Sequence, residues 1–341
     1  MFKLSDYTSI SLTDEQLNQF EEDGFLHLKN IISQEQVHLL RQAVGQQEEG
    51  FSDTTTGYDF ESLANQLWGE ENNNVDAGAA QRFDLELYRH IIKEDNTARP
   101  IRENTNQDLK DKGFFLYEAA GWRKFEGIRK VAFDSIIPAL CSKLMNSSYI
   151  NFWEDTTFVK KPNTPQKTVF HQDYTYFQIK GSKCCIVWIP LDPATRETGA
   201  MQYVRGSHKW GQEFAPNVFI AQTPLLETEH PKLPDIEANP DSYDIVTIEA
   251  EPGDVIIHNV MTVHGSRGNM SKDKIRRAIS FRYCGDDIRY YDRPGAIPQP
   301  YISSPLPDGA PLYSEHYPLV WPKPAPHIKL APLFDNQPVV V

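Results

Sequence analysis

Apolar positions along this chain change their period near Tyr149. Before it they recur mostly at helical spacing. Thr13 with Gln16 forms a capping-box signature, and Leu17, Phe20 and then Gly24 predict a short amphipathic helix with a stop. Phe25 to Lys29 alternates and predicts a strand. Ser33 with Gln36 repeats the capping signature; Val37, Leu40 and Val44 then predict a second helix, ending at Gly45 or shortly after. Residues 50–115 are less regular, with a loop marked by Gly69, Asn72, Asn73, Asn74 and Gly78, and suit either a lid or pocket wall or simple decoration. Phe125, Ile128, Val131, Ala132, Ile136 and Leu140 predict helix over 122–146.

After Tyr149 the runs become short, apolar or alternating: Phe152–Val159, Lys183–Ile189, Asp244–Glu249, Asp254–His258 and Ala278–Tyr283, separated by Gly, Pro, Asn and Asp. Many short strands with turn signals predict a β-sandwich or jelly roll. Residues 214–242, rich in Pro, Glu and Asp, read as a long excursion between strands. The proline-dense stretch after Asp292 reads as an extended tail packed over the core. No internal repeat is evident. The expected organisation is one domain over 1–341: a mainly helical part (1–148), a β core (149–290) and a Pro-rich tail (291–341).

Composition narrows the function classes. The 341 residues are 40% hydrophobic and 24% charged, with a net charge of −13 and no basic block. That argues against nucleic acid and anionic membranes as partners. The N-terminus shows no basic segment followed by an apolar one, and no apolar run approaches the about 20 residues of a membrane span. The expectation is a cytoplasmic protein. Cys141, Cys184, Cys185 and Cys284 lack disulfide-framework or zinc spacing and read as buried free thiols.

The candidate chemistry sits in the β half. His171 and Asp173 are two apart, so on a strand both would share a face. His264 returns later in the chain as a third ligand candidate. Two histidines and a carboxylate compose the facial triad that holds non-heme Fe(II) with open positions for a co-substrate and O2. His258 competes for the role; a pocket-lining or hydrogen-bonded histidine is its plainer reading. Pro252-Gly253-Asp254 predicts a turn into the strand before these histidines, and Gly265 a tight exit. Arg276 follows as a fixed cation for a carboxylate. Arg276 and Arg277 alternate, so only one faces inward, and Arg282 shares the face of Arg276. Trp153, Phe158, Tyr174, Tyr176 and Phe177 read as core or as pocket wall, with Tyr174 and Phe177 the best pocket candidates because they follow the H-x-D motif. His208 reads as a structural turn residue and Cys284 as core.

An ordered set of motifs runs through most of the chain: Phe20-Glu-Glu-Asp-Gly-Phe25, His171-Gln-Asp-Tyr174, Trp188-Ile-Pro-Leu-Asp192, Gly199-Ala-Met-Gln202, Arg205-Gly-Ser-His-Lys209, the segment from His264-Gly-Ser266 to Ser271, and Arg276-Arg-Ala-Ile-Ser280. In these the chain resembles the phytanoyl-CoA dioxygenase family of Fe(II)/2-oxoglutarate oxygenases. The resemblance implies a mainly β fold with flanking helices around a double-stranded β-helix, the cupin-like jelly roll. It implies Fe(II) bound by His171, Asp173 and His264, and 2-oxoglutarate paired through Arg276. Ser266 matches a position that hydrogen-bonds the co-substrate, and Trp188 one that lines its pocket. The implied reaction is oxidation of a C–H bond of a small-molecule substrate with release of succinate and CO2, whether by hydroxylation, desaturation or ring formation. Related halogenases carry a small residue where this chain has Asp173, which favours oxygenation.

The rival reading is a non-catalytic jelly-roll module that binds a ligand. Decay of an enzyme into such a module would break a ligand or the arginine, and all four are present. A cupin isomerase or metal-dependent hydrolase gives no reason for Arg276. No adenine or pyrophosphate motif points to a coenzyme A ester.

Overall fold

Local capping chemistry sets the first helices. In the computed structural model, Thr13 and Gln16 exchange backbone-to-side-chain hydrogen bonds and open α1 (Asp14–Asp23). Gly24 ends it at φ +83°, and a Cβ there would stand 2.3 Å from His208 Nδ1, so both backbone and space call for glycine. Ser33 and Gln36 open α2 (Gln34–Glu49) in the same way. This helix does not stop at Gly45. It continues to Gly50, because a mid-helix glycine costs only about 1 kcal/mol and Val37, Leu40 and Val44 are fully buried. The apolar run over 122–146 forms two helices, α3 (Glu126–Asp134) and α4 (Ile137–Leu144). Pro138 explains the break. It is accepted in the first turn of α4 but not inside a continuous helix.

The structure describes residues 12–51, 57–61, 63–64, 102–103, 113–225, 228–294, 296, 299, 301–302 and 304–322. The expected loop at Gly69–Gly78 and the last part of the Pro-rich tail lie outside these residues.

Two antiparallel sheets follow. The larger contains β1 (Phe25–Leu28), β2 (Gly57–Asp59), β3 (Phe115–Ala119), β4 (Ile150–Lys160), β7 (Cys184–Pro190), β10 (Val255–Asn259), β12 (Arg276–Cys284) and β14 (Leu319–Trp321). Its order is β1-β10-β7-β12-β4-β3-β2, with β14 also on β4. The smaller sheet contains β5 (Thr168–His171), β8 (Met201–Val204), β9 (Ile245–Ile248) and β11 (His264–Ser266), in the order β5-β11-β8-β9. β6 (Ile179–Lys180) and β13 (Arg289–Tyr290) form a separate ribbon. Around β1, β10, β7, β12 and β4, and around β5, β11 and β8, strand order departs from chain order, as a jelly roll requires. The N-terminal part thus supplies three strands of the larger sheet as well as helices.

Alternation along β12 separates two environments. Ile279, Phe281 and Tyr283 join the helix-side core with Val37, Leu40, Val131 and Leu140. Arg276, Ser280 and Arg282 face the smaller sheet across a narrow cavity. Cys184 and Cys185 divide in the same way between two apolar clusters, and all four cysteines are buried and free. In the tail, Tyr317 stacks on Trp153 at 4.5 Å between ring centroids, so the segment before β14 covers the core.

On the helix side of β4, Asp155 is fully buried. Its Oδ1 accepts the Trp122 amide at 2.7 Å, while Oδ2 has no hydrogen-bond partner among the described residues. Burial pushes this carboxyl up to about 7. The folded state therefore holds a proton that the unfolded chain releases near pH 4. Stability attributable to this group falls as pH rises from about 4 to about 7 and stays lost above that. Asp155→Asn should remove this dependence. The variant's melting temperature should gain on that of wild type between pH 5 and pH 8, and parallel pH profiles would refute the assignment.

Candidate functional site

The carboxylate of the triad is not placed by a strand. β5 ends at His171, and Asp173 has helical backbone angles (φ −78°, ψ −27°) at the start of a 3-10 turn over Tyr174–Tyr176. The expected shared strand face is therefore corrected: a turn brings the Asp173 side chain back beside His171. The Asp173 and Tyr174 amides both donate to Val260 O at 3.2 Å, which pins this turn to the segment after β10. His264 is the cross-strand partner of His171 in the β5–β11 pair. Gly265 lies within β11 rather than at an exit turn. A Cβ there would stand 2.8 Å from Thr168 O, so it permits close approach of the two strands.

One ligand atom each from His171, Asp173 and His264 falls within 4.8 Å of the others, and all three residues are buried. His171 Nε2 is 3.5 Å from Asp173 Oδ1, and His264 Nε2 is 3.8 Å from Asp173 Oδ2. Their Nδ1 atoms lie 2.8 Å from Val169 O and 2.9 Å from Thr262 O. Nδ1 must therefore carry the proton, which leaves both Nε2 lone pairs for a metal. Burial pushes the His264 imidazole well down, toward the neutral form that ligates. Burial alone would raise the Asp173 carboxyl, but the surrounding imidazoles, His264 first, hold it well below its usual range. The donor set is two neutral nitrogens and one carboxylate around a common point, and it fits ferrous iron.

His258 sits outside this set, on the facing sheet. Its Nε2 is 3.6 Å from Asp173 Oδ2, and its Nδ1 is 3.4 Å from Tyr203 OH. It lines the cavity, in accord with its plainer reading.

Arg276 is 1% exposed and lines the same cavity, yet its side chain has no hydrogen bond or ion pair among the described residues. Burial pushes its guanidinium down to about 10. Trp188 lies beneath it, with the guanidinium carbon 5.9 Å from the ring centroid. Gly199, at φ +103°, keeps a Cβ from crowding Arg276 Nη2 and Arg267 O. Ser266 donates to Thr168 Oγ1 at 3.1 Å and is itself held by Lys160 Nζ at 3.1 Å. Arg277 points away and makes a bidentate pair with Asp192, both contacts at 2.8 Å. The outward fate expected for the second arginine is thus observed.

Sequence reading missed Lys160 and Phe219, while it placed Arg282 on the face of Arg276. Lys160 faces Arg276 in register on β4 and is fully buried; its Nζ also donates to Arg267 O at 2.8 Å. Alternation within Lys160-Lys161 was the available signal. Phe219, at φ +65° in the excursion over 214–242, brings its ring centroid 4.8 Å from that of His171. Arg282 lines the cavity too. Tyr174 and Phe177 do not line it. They pack with Trp153, Tyr176 and Tyr317 beside it, while Phe158 and Phe219 supply the aromatic wall. His208 is structural, with Nε2 3.0 Å from Glu21 O. No helix among the described residues is long and apolar enough to cross a membrane.

The chain matches the family model for phytanoyl-CoA dioxygenase (PhyH) over residues 20–278. It is 24% identical over 271 residues to Phytanoyl-CoA dioxygenase 1 of Oryza sativa subsp. japonica, covering 76% of this chain and 85% of the rice protein. It is 25% identical over 294 residues to a probable phytanoyl-CoA dioxygenase of Caenorhabditis elegans, covering 82% and 78%. Among solved structures it is similar to SnoK, a non-heme alpha-ketoglutarate-dependent carbocyclase from nogalamycin biosynthesis. The TM-score is 0.59 at 21% identity, over 91% of this chain and 97% of that one. It is also similar to EctD from S. alaskensis, solved with 2-oxoglutarate and 5-hydroxyectoine. There the TM-score is 0.52 at 15% identity, over 88% and 85%. At these identities the structural likeness is one of fold.

Proposed function

This chain belongs to the phytanoyl-CoA dioxygenase family, and on that premise we propose that it is an Fe(II)- and 2-oxoglutarate-dependent dioxygenase that oxidises an unactivated C–H bond of a small molecule. His171, Asp173 and His264 hold the metal. Arg276 takes the distal carboxylate of the co-substrate, with Ser266 a further donor once its hydroxyl turns from Thr168 and Trp188 a wall. Bound there with O2, iron and 2-oxoglutarate supply the oxidant, and succinate and CO2 leave as co-products.

The observation that carries this reading is Arg276. A buried guanidinium with no described partner is costly, and a dianionic ligand removes that cost. Lys160 holds the Ser266 hydroxyl in place beside it. Trp188, Phe158 and Phe219 exclude water from the rest of the cavity. A ligand-binding module without chemistry would need no metal-ligand triad opposite the arginine.

The test is succinate formation from 2-oxoglutarate by the Fe(II)-loaded protein, slow without substrate and faster with it. Succinate release that does not depend on Fe(II) would refute the reading. The carboxylate at Asp173 fills a metal position and repels an incoming anion, so turnover in excess chloride or bromide should give oxygenated or dehydrogenated product only. A halogen isotope pattern in the product's mass spectrum would overturn this. Asp173→Ala should lose iron rather than gain halogenation, since a third of the protein's ligands is gone.

A further inference from the structure

Arg282 is a second buried cation in the cavity, and the proposed co-substrate does not account for it. It sits on the inward face of β12, two alternations beyond Ser280's neighbour Ala278 and in the same row as Glu154, Ile186 and His258. It is 4% exposed and lines the cavity together with Arg276 and the triad. Its only hydrogen bond among the described residues runs from Nη1 to Thr156 Oγ1 at 2.6 Å. Its Nε is buried without a partner among the described residues.

No described carboxylate forms an ion pair with it. The nearest in register, Glu154, is engaged elsewhere: its Oε1 accepts from Tyr301 OH and from Gln299 Nε2. Burial also pushes the Glu154 carboxyl up, which weakens it as a counter-charge. The Phe177 ring supports the guanidinium from one side, 5.3 Å from ring centroid to Cζ. That contact orients the arginine but does not neutralise it.

Charge accounting sharpens the point, and it rests on the function proposed above. Ferrous iron, Asp173, the co-substrate dianion and Arg276 cancel. Arg282 then remains without a paired carboxylate in a water-poor cavity: burial pushes the carboxyl of Glu154, in its row, up against the pull of Arg282, and burial pushes the Lys160 ammonium well down, so the open position favours an anionic group. With Nη1 committed to Thr156, the free edge of the guanidinium is Nε with Nη2. That edge presents two parallel N–H groups, the geometry of bidentate carboxylate recognition. Ile186, Phe158 and Phe219 give the wall an apolar stretch, beside the polar Ser280, Thr168 and His258.

We propose that Arg282 anchors the carboxylate of the substrate, so that the enzyme acts on a small free carboxylic acid whose apolar chain lies along Phe158, Phe219 and Ile186. The cavity thus has two anion positions on one strand face: Arg276 for the co-substrate and Arg282 for the substrate.

The experiment uses the protein loaded anaerobically with Fe(II) and saturating 2-oxoglutarate. Straight-chain carboxylates from butanoate to octanoate are titrated calorimetrically, each against its primary amide and against the alkyl phosphate of equal length. The visible absorption of the iron–co-substrate complex is followed throughout. The expected result is that at least one carboxylate binds about tenfold or more tighter than its amide without displacing 2-oxoglutarate. Arg282→Gln should erase that preference and Arg282→Lys restore it in part, with 2-oxoglutarate affinity unchanged in both. The inference is overturned if no carboxylate binds, if the phosphate is preferred, if the carboxylate displaces the co-substrate, or if Arg282→Gln keeps the preference. A protein that fails to bind 2-oxoglutarate at all sinks the function proposed above instead. A variant that loses 2-oxoglutarate affinity places Arg282 in the co-substrate site and refutes this assignment alone.

Discussion

Alanine at His264 should strip the protein of iron and of turnover, while alanine at His258 should leave the metal in place. Both histidines lie within 4 Å of the Asp173 carboxylate, so proximity does not separate them. Two other features do. His264 is the register partner of His171, so the two rings project from adjacent strands of one sheet toward a common point. Its Nδ1 is committed to Thr262 O, which fixes the tautomer and aims the Nε2 lone pair inward. His258 projects from the opposite sheet, and its Nδ1 makes only a long contact with Tyr203 OH. Removing a ligand takes one of three protein donors from the metal. Removing a cavity-lining neighbour should cost at most about 10–100-fold, as outer-shell changes do. The measurements are metal stoichiometry after anaerobic loading and succinate formation. If His264→Ala retained one iron per chain while His258→Ala lost it, the ligand set would be wrong.

What could be read in the sequence was the chemistry that acts locally. The capping boxes at Thr13 and Ser33 set helix starts because both partners lie within one turn. Alternation separated Arg276 from Arg277 because a strand has only two faces. The same alternation gave the outline of β4, β7, β10 and β12, whose ends moved by only a residue or two.

What the pattern hid depends on tertiary contact. Asp173 reaches the site through a turn held by Val260 O, a partner distant in sequence. Phe219 enters from an irregular excursion through a left-handed backbone residue, and nothing in its local sequence marks it as wall. Gly45 looked like a helix stop because its cost was visible and the burial outweighing it was not. Lys160 carries no local mark of the site, and only its strand neighbour Arg276 places it there.

Arg276 should be the residue whose loss most weakens co-substrate binding, and the ligand-free protein should reveal why. Its guanidinium is buried, depressed to about 10 by that burial, and unpaired among the described residues. It also faces Lys160 across the strand pair, and burial with the neighbouring guanidinium pushes that ammonium well down, which shows how poorly this region tolerates positive charge. Arg276→Met should therefore raise the melting temperature of the ligand-free protein, because an uncompensated charge gives way to an apolar chain of similar reach. The same variant should lose the stabilisation that 2-oxoglutarate gives wild type, which grows as RT ln(1 + [L]/Kd). Truncating one side of a buried, hydrogen-bonded charge pair typically costs about 2–5 kcal/mol, so affinity should fall by roughly two to three orders of magnitude. Arg276→Lys should recover only part of this, since an ammonium supplies charge without the two-pronged donor edge. The paired readout distinguishes a binding role from a structural one. A structural arginine would destabilise the ligand-free protein when replaced and leave the ligand-induced shift intact; that outcome would remove Arg276 from the co-substrate site.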